Sequence, residues 1–464
     1  MTPIIAIAGI AGLVWAIVLF RYGDLVAGCL AVLLVGSVFG HAFFHLSVIT
    51  ADRLLIGGLI GTYIVYRRLD LADPKQIEKS DLAVFLFIAV LAFSTLTSNW
   101  RLNGGQPLAT LLFFFCLPVV MYWIGRQTKL TERSVLTIFG FLAVFAVYLG
   151  LTAFAETRQL WSVVFPKYIA SPAYAEFFGR GRGPFLNPVG CGLYMSAGLF
   201  GAVQWWPRLR LVGRGVIVLT ASIILLGIYC TLTRSVWIGA GIGLLMIVGL
   251  SIPKSWRIPL LMAVVIAGSV VVAAKNDKLN SFKRDKYVSV KDMSESVSLR
   301  PILATVAWKM FLDRPLIGCG FGQYKEYDIE YLQLVVGDLG LEKARPYHQH
   351  NVFLAMLAQM GMLGFGAWMI MLGLWTRNAW ILWRSRQAPS WARQHALLFL
   401  ALLAAYSFNG MFHDVSVISM VNMLLFFVAG VCQGLVPQTR GAVDARVAAT
   451  TSERRMGRAV RLST

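Results

Sequence analysis

The chain has 464 residues, 58% hydrophobic and 14% charged, with a mean hydropathy of +0.69, which excludes a water-soluble globular enzyme. Its formal net charge of +20 would suit a nucleic-acid partner, but the basic residues collect in short breaks between apolar runs, so the charge follows membrane topology and no nucleic acid is expected. The runs are continuously apolar instead of alternating, so the expected fold is all-α, a polytopic bundle of transmembrane helices, and not a barrel.

A hydrocarbon core about 30 Å thick needs about 20 apolar residues of helix. Such runs lie near 3–20, 25–44, 53–66, 81–98, 107–125, 134–155, 187–206, 214–231, 235–251, 256–274, 351–375, 395–412 and 417–436. With soft boundaries this makes about 12–14 spans. The first run lacks a basic segment before it and is followed at once, after Arg21-Tyr22-Gly23-Asp24, by another, so it reads as a retained span and not a cleaved signal. Cys29, Cys116, Cys191, Cys230 and Cys432 fall in or at the ends of apolar runs, and Cys319 lies in a long polar loop, so neither a disulfide framework nor a CxxC metal site is expected.

Basic residues gather at Arg67–Lys79, Arg126–Arg133, Arg208–Arg214, Lys254–Arg257, Arg377–Arg393 and in the tail 437–464, and the positive-inside rule assigns these to the cytoplasm. The tail is expected to be disordered and to touch anionic lipid headgroups. The other loops then face outward: Ser98–Gln106, Glu156–Leu186, the turn at Thr233-Arg234, the long segment Lys275–Gln349 and the turn Asn409–Val415. The organisation expected is helices over 1–274, a long outer loop over 275–350, further helices over 351–436, and the tail. Within the long loop, Ile302, Leu303, Val306, Ala307, Met310 and Phe311 recur at helical spacing before the breaker Asp313-Arg314-Pro315. A second helix is expected over Tyr324–Val336, with Gly318, Gly320 and Gly322 making the turn between them, so the loop resembles a lid.

Arginines stand where a membrane protein avoids charge: Arg182 (with Arg180 competing for its role) before Pro184-Phe185-Leu186-Asn187-Pro188, Arg234 between two apolar runs, and Arg300 opening the first lid helix. A guanidinium presents a rigid fork of donors that suits phosphate or diphosphate oxygens, and the alternative for any one of them is an interfacial anchor. Tyr347-His348-Gln349-His350-Asn351 lies where the outer loop re-enters the membrane; histidine exchanges protons near neutral pH, and His350, nearest the apolar run, is the candidate base. A metal pair is disfavoured, because His348 and His350 lack a nearby carboxylate or Cys partner. His413-Asp414 either joins this site or caps a helix. His41, His45 and His395 read as interfacial, as do Trp205-Trp206, Trp237, Trp256 and Trp391.

Four pieces together resemble the O-antigen ligase and Wzy-type polymerase superfamily of bacterial cell-surface glycan assembly. They are Gly179-Arg180-Gly181-Arg182-Gly183-Pro184-Phe185-Leu186-Asn187-Pro188, Thr231-Leu232-Thr233-Arg234-Ser235, Leu299-Arg300-Pro301 with Pro315-Leu316-Ile317-Gly318-Cys319-Gly320, and His348-Gln349-His350-Asn351 with Gly361-Met362-Leu363-Gly364. The resemblance implies an inner-membrane glycosyltransferase that takes a glycan from undecaprenyl diphosphate on the periplasmic side, inverts the anomeric centre and needs no metal or other cofactor. It implies Arg234 and Arg300 on the diphosphate, His350 on the acceptor hydroxyl and Asp414 as a helper, and Arg180, Arg182, His348, Asn351 and Asp414 are the expected substrate contacts around them. The favoured acceptor is a lipid A core oligosaccharide; a growing glycan, as in a polymerase, or a protein is the alternative within the same chemistry. A transporter is the alternative of another class, and the concentration of polarity at the outer rim, without internal symmetry, counts against it.

Overall fold

In the computed structural model, which describes residues 24–40, 43, 50–102, 106–174, 176–259, 262–263, 290–335 and 350–437, the chain folds as helices, and no strand occurs among the described residues. In chain order the long helices are α1 (Leu25–Val38), α2 (Ala51–Arg68), α3 (Lys79–Thr97), α4 (Pro107–Gln127), α5 (Glu132–Thr157), α6 (Pro188–Gln204) and α7 (Leu211–Cys230). They continue with α8 (Arg234–Ser251), α9 (Val290–Asp313), α10 (Tyr324–Val335), α11 (Val352–Arg384), α12 (Ser390–Gly410) and α13 (Ser419–Pro437). By length and composition α3, α4, α5, α7, α8, α11 and α13 can each cross a membrane. The expected span 3–20 and most of 256–274 lie outside the described residues, as does the basic tail beyond Pro437.

Helix starts follow the capping chemistry of the sequence. Asp24 accepts from Ala27 N at 2.9 Å to open α1, and Asn187 accepts from Val189 N and Gly190 N at 2.9 and 3.1 Å to open α6, with Pro188 at the first helical position. Between helices, small residues let backbones meet: a Cβ on Gly227 of α7 would lie 2.3 Å from Gly150 Cα of α5, and one on Gly198 of α6 would lie 2.1 Å from Ala146 Cβ of α5. In hydrocarbon, where apolar surface gains nothing by leaving lipid, such close packing is what holds helices together. The α6 and α13 helices are almost wholly enclosed, whereas α7 presents Leu211, Val212, Val216 and Leu219 outward as a peripheral helix.

Loops of alternate parity meet at opposite ends of the bundle. At the basic end, Lys75 Nζ donates to the carbonyls of Arg126 and Thr128, and the fully buried Arg126–Asp81 pair at 2.7 Å is completed by Tyr122 Oη donating to Asp81 at 2.7 Å. At the other end, Gln323 Nε2 donates to Asn99 O, which ties the lid segment to the end of α3, and Asn351 Nδ2 donates to Met411 O, which ties the start of α11 to the end of α12.

Two departures from the sequence reading shape this end. The α9 helix begins at Val290 and carries Pro301 inside it, so Arg300 sits on an interior turn and does not open the helix. The α11 helix runs on to Arg384, beyond the expected 351–375, and is broken at Gly361 (φ 58°, ψ −161°). Backbone groups around that break are satisfied by segment 315–320: Cys319 N donates to Ala358 O and Gly320 N to Gln359 O (both 2.9 Å), and Met362 N donates to Pro315 O (2.8 Å). The approach demands glycine on both sides, since a Cβ on Gly318 (φ 69°) would lie 2.3 Å from Gln359 C and one on Gly361 2.4 Å from Leu316 C.

Candidate functional site

One carboxylate organises the loop that follows α5. Glu156, in the last turn of α5 and shielded from solvent, accepts from Arg182 N at 2.8 Å and Gly183 N at 2.6 Å and pairs with Arg182 Nε at 3.3 Å. The Arg182 guanidinium, 0% exposed, also donates to the carbonyls of Tyr174 (2.5 Å), Glu176 (2.7 Å) and Ile169 (2.7 Å). The expectation of a substrate contact at Arg182 therefore meets a guanidinium already committed to its own loop.

Arg180, also buried, faces the next element. Its Nε donates to Thr231 O at 3.2 Å and its Nη2 to Thr233 Oγ1 at 2.5 Å, while Gly181 N donates to Cys230 O at 2.8 Å. These bonds land on the tight turn between α7 and α8, where Leu232 adopts φ 50° and Thr233 Oγ1 donates to Thr231 O at 2.9 Å. Arg234 is the first residue of α8 and is half-buried, directly beyond the turn that Arg180 grips.

The other half of the site stands on a small separate core. Leu299, Val306, Ala307 and Met310 of α9, Cys319 of the turn, Tyr324 and Leu332 of α10, and Ala358 of α11 pack together. Arg300 and Lys325 each follow one of these core residues, and His350 stands two positions before the buried Val352, so three elements deliver basic side chains to one rim. Arg234, Arg300, Lys325 and His350 are all half-buried.

Electrostatics tie these groups together. Burial lowers the Arg300 guanidinium below its ordinary value, and the like charge of Arg234 lowers it further. Burial likewise lowers the His350 imidazole, with Arg300 and Lys325 adding to the effect. Lys325 is lowered by burial, with Asp328 opposing. Cations gathered in partly desolvated surroundings repel one another, and a bound polyanion turns that repulsion into attraction. A lowered histidine is neutral at neutral pH, the state that a proton acceptor requires.

Asn351 caps α11, accepting from Phe353 N and Leu354 N at 2.9 and 3.0 Å, while its Nδ2 donates to Met411 O at 3.1 Å. His350 just before it adopts φ 47°, a left-handed conformation that histidine tolerates better than most residues. Asp414 accepts from Ser416 N at 3.2 Å and Ser416 Oγ at 2.5 Å, capping the short turn Val415–Val417; burial raises its carboxyl and the Ser416 bonds oppose the rise. His348 lies outside the described residues, as do His41 and His45. His395 is not interfacial: it is fully buried in α12, with Nε2 3.1 Å from Val428 O.

Glu156 and Lys325 escaped the sequence reading. The signal for Glu156 was a carboxylate closing an apolar run ahead of two loop arginines; for Lys325 it was a cation directly after the Gly-rich turn Gly318–Gly322.

Residues 219–369 match a family model described as O-antigen ligase, which supports the O-antigen ligase and Wzy superfamily for that stretch and ligase- or polymerase-type glycan transfer in general. The stretch runs from α7 into α11 and holds Arg234, Arg300, Lys325, His350 and Asn351, whereas Glu156, Arg180, Arg182 and Asp414 lie outside it. No curated protein matches the chain.

Proposed function

We propose that the protein is an O-antigen ligase of the bacterial inner membrane, transferring a glycan from undecaprenyl diphosphate to a lipid A core sugar at the periplasmic face. The observation that carries this reading is the half-buried rim on which Arg234 and Arg300 lie within each other's field and His350 within that of Arg300.

In the reaction, the acceptor hydroxyl oxygen bonds to the anomeric carbon of the donor sugar as the bond from that carbon to the diphosphate oxygen breaks. The leaving diphosphate takes the bonding electron pair, and Arg234 and Arg300 stabilise its growing charge with donors already in place. His350 Nδ1 or Nε2 accepts the hydroxyl proton. Before donor binding, burial and then the neighbouring cations favour the neutral imidazole of His350; a bound diphosphate offsets the cations and raises the imidazole's basicity as the proton must be taken up. Attack from the face opposite the leaving group inverts the anomeric centre. Asp414, in the turn tied to Asn351, steadies that side of the site.

The test is purified protein supplied with an undecaprenyl-diphosphate glycan and rough lipopolysaccharide. Transfer produces a larger lipopolysaccharide band. A ladder of lengthening lipid-linked glycan formed without acceptor would replace this reading with polymerisation, and no product from either mixture would refute it.

A further inference from the structure

The rim arginines face a physical problem. Two guanidinium groups in each other's field, partly desolvated, favour arrangements that move them apart, yet a diphosphate needs them held together before it arrives. Arg234 begins α8, and the turn before it contains Leu232 at φ 50°, a conformation that a branched apolar residue adopts only when its surroundings impose it.

The surroundings that impose it are traceable bond by bond. Glu156 holds the backbone of Arg182 and Gly183 and the Arg182 side chain. Gly181 N, in that same held segment, donates to Cys230 O, and Arg180 Nε and Nη2 donate to Thr231 O and Thr233 Oγ1. The carbonyls of Cys230 and Thr231 at the end of α7 and the hydroxyl of Thr233 just before α8 are thus fixed from α5, through one loop. A Cβ on Gly181 would lie 2.6 Å from Ala153 Cβ and 3.1 Å from Cys230 O, so the loop segment is wedged closely between α5 and the turn.

We propose that Glu156, Arg182 and Arg180 form a positioning relay that sets Arg234 for the diphosphate, with Arg180 acting through the 231–233 turn and not on the ligand. The relay rests on the donor chemistry proposed above. Glu156, Arg180 and Arg182 lie outside residues 219–369, and the turn they act on lies within them. Its alternative is a loop that merely stabilises the fold, and the two differ in what they move: a stabilising loop changes the melting temperature and leaves the donor affinity of the folded protein as it was, whereas a positioning relay changes that affinity.

The experiment measures binding of undecaprenyl diphosphate to the purified full-length protein by native mass spectrometry, with thermal melting in parallel. Thr233→Val removes the hydroxyl that Arg180 grips, and Thr233→Ser keeps it. Thr233→Val and Arg180→Met are each expected to weaken binding about tenfold, as misplacement of a binding group does. Thr233→Ser should bind as the parent does. The Arg180→Met, Thr233→Val double variant should bind no more weakly than about either single one, because both cut the same link. Glu156→Gln should weaken binding in the same direction. Arg234→Met serves as the reference for loss of the diphosphate contact itself.

The relay is overturned if Arg234→Met loses binding while Thr233→Val retains it, or if the double variant loses about a hundredfold, the product of independent effects. If the unmodified protein fails to bind undecaprenyl diphosphate, the donor reading fails first and the relay with it. Should Arg180→Met fold poorly, the Thr233 pair decides alone.

Discussion

Replacing Arg182 by Met distinguishes a structural arginine from a ligand-binding one. The substitution keeps much of the side-chain stem but removes every donor. It leaves Glu156, buried beside it, with only the backbone donors Arg182 N and Gly183 N, and deprives the carbonyls of Ile169, Tyr174 and Glu176 of their guanidinium partner. Breaking a buried ion pair from one side destabilises by about 3–5 kcal/mol, since the surviving charge stays desolvated. Stranded carbonyls add about 1 kcal/mol or more each where water does not replace the donor. Against a total stability of about 5–15 kcal/mol, this is enough to open the loop between α5 and α6 under native conditions. The assay is chymotrypsin cleavage of the purified protein, because Trp161, Tyr168, Tyr174 and Phe177 lie in that loop and become accessible when it opens. Cleavage there should rise sharply in Arg182→Met, and pairing the change with Glu156→Gln should recover part of the protection by removing the stranded charge. Unchanged cleavage would show that the Arg182 guanidinium does not hold this loop.

Three further outcomes follow from other parts of the structure. Because burial, Arg300 and Lys325 all lower His350, transfer should hold steady above the lowered pKa and fall as pH drops through it. Lys325→Met removes one of those cations, so the His350 pKa should rise toward its ordinary value and the acid limb of kcat/KM move to higher pH; a limb that stays or moves lower contradicts the assignment. Gly361→Ala forces φ 58° on a residue whose Cβ meets Leu316 C at 2.4 Å, so strain of about 1–3 kcal/mol plus the clash should lower the melting temperature and undock segment 315–320. At the opposite end, Arg126→Met strands the fully buried Asp81 and should destabilise by about 3–5 kcal/mol, read as a lower melting temperature, while donor affinity of the folded fraction stays as it was.

The helices were legible in the sequence because the bilayer allows few choices: α4, α5 and α8 fall on the apolar runs within a few residues, since each must be long, apolar and internally hydrogen-bonded. The break in α11 was not legible, because Met360-Gly361-Met362-Leu363 continues an apolar helical run and only the arrival of segment 315–320 satisfies the groups that the break frees. The start of α9 was misplaced for the reverse reason: Pro301 resembles a helix opening, yet the helix passes through it from Val290.

The site was legible by residue type and by end of the bundle, but not by partner. Arg182 and Arg234 look alike in sequence, each in a turn at the end of an apolar run. What separates them is Glu156, which pairs with Arg182 from the end of α5, and Arg300, which lies in the field of Arg234 from another helix. Lys325 shows the same limit, since its relation to His350 exists only once the small core of α9, α10 and α11 has formed.

The most direct test of the central claim sets His350→Ala beside Arg234→Met in one preparation, with undecaprenyl-diphosphate glycan as donor and rough lipopolysaccharide as acceptor. With His350 as the base and Arg234 on the diphosphate, His350→Ala should bind donor as the parent does but form no product, and Arg234→Met should fail at donor binding. Product from His350→Ala at the parent rate would contradict it.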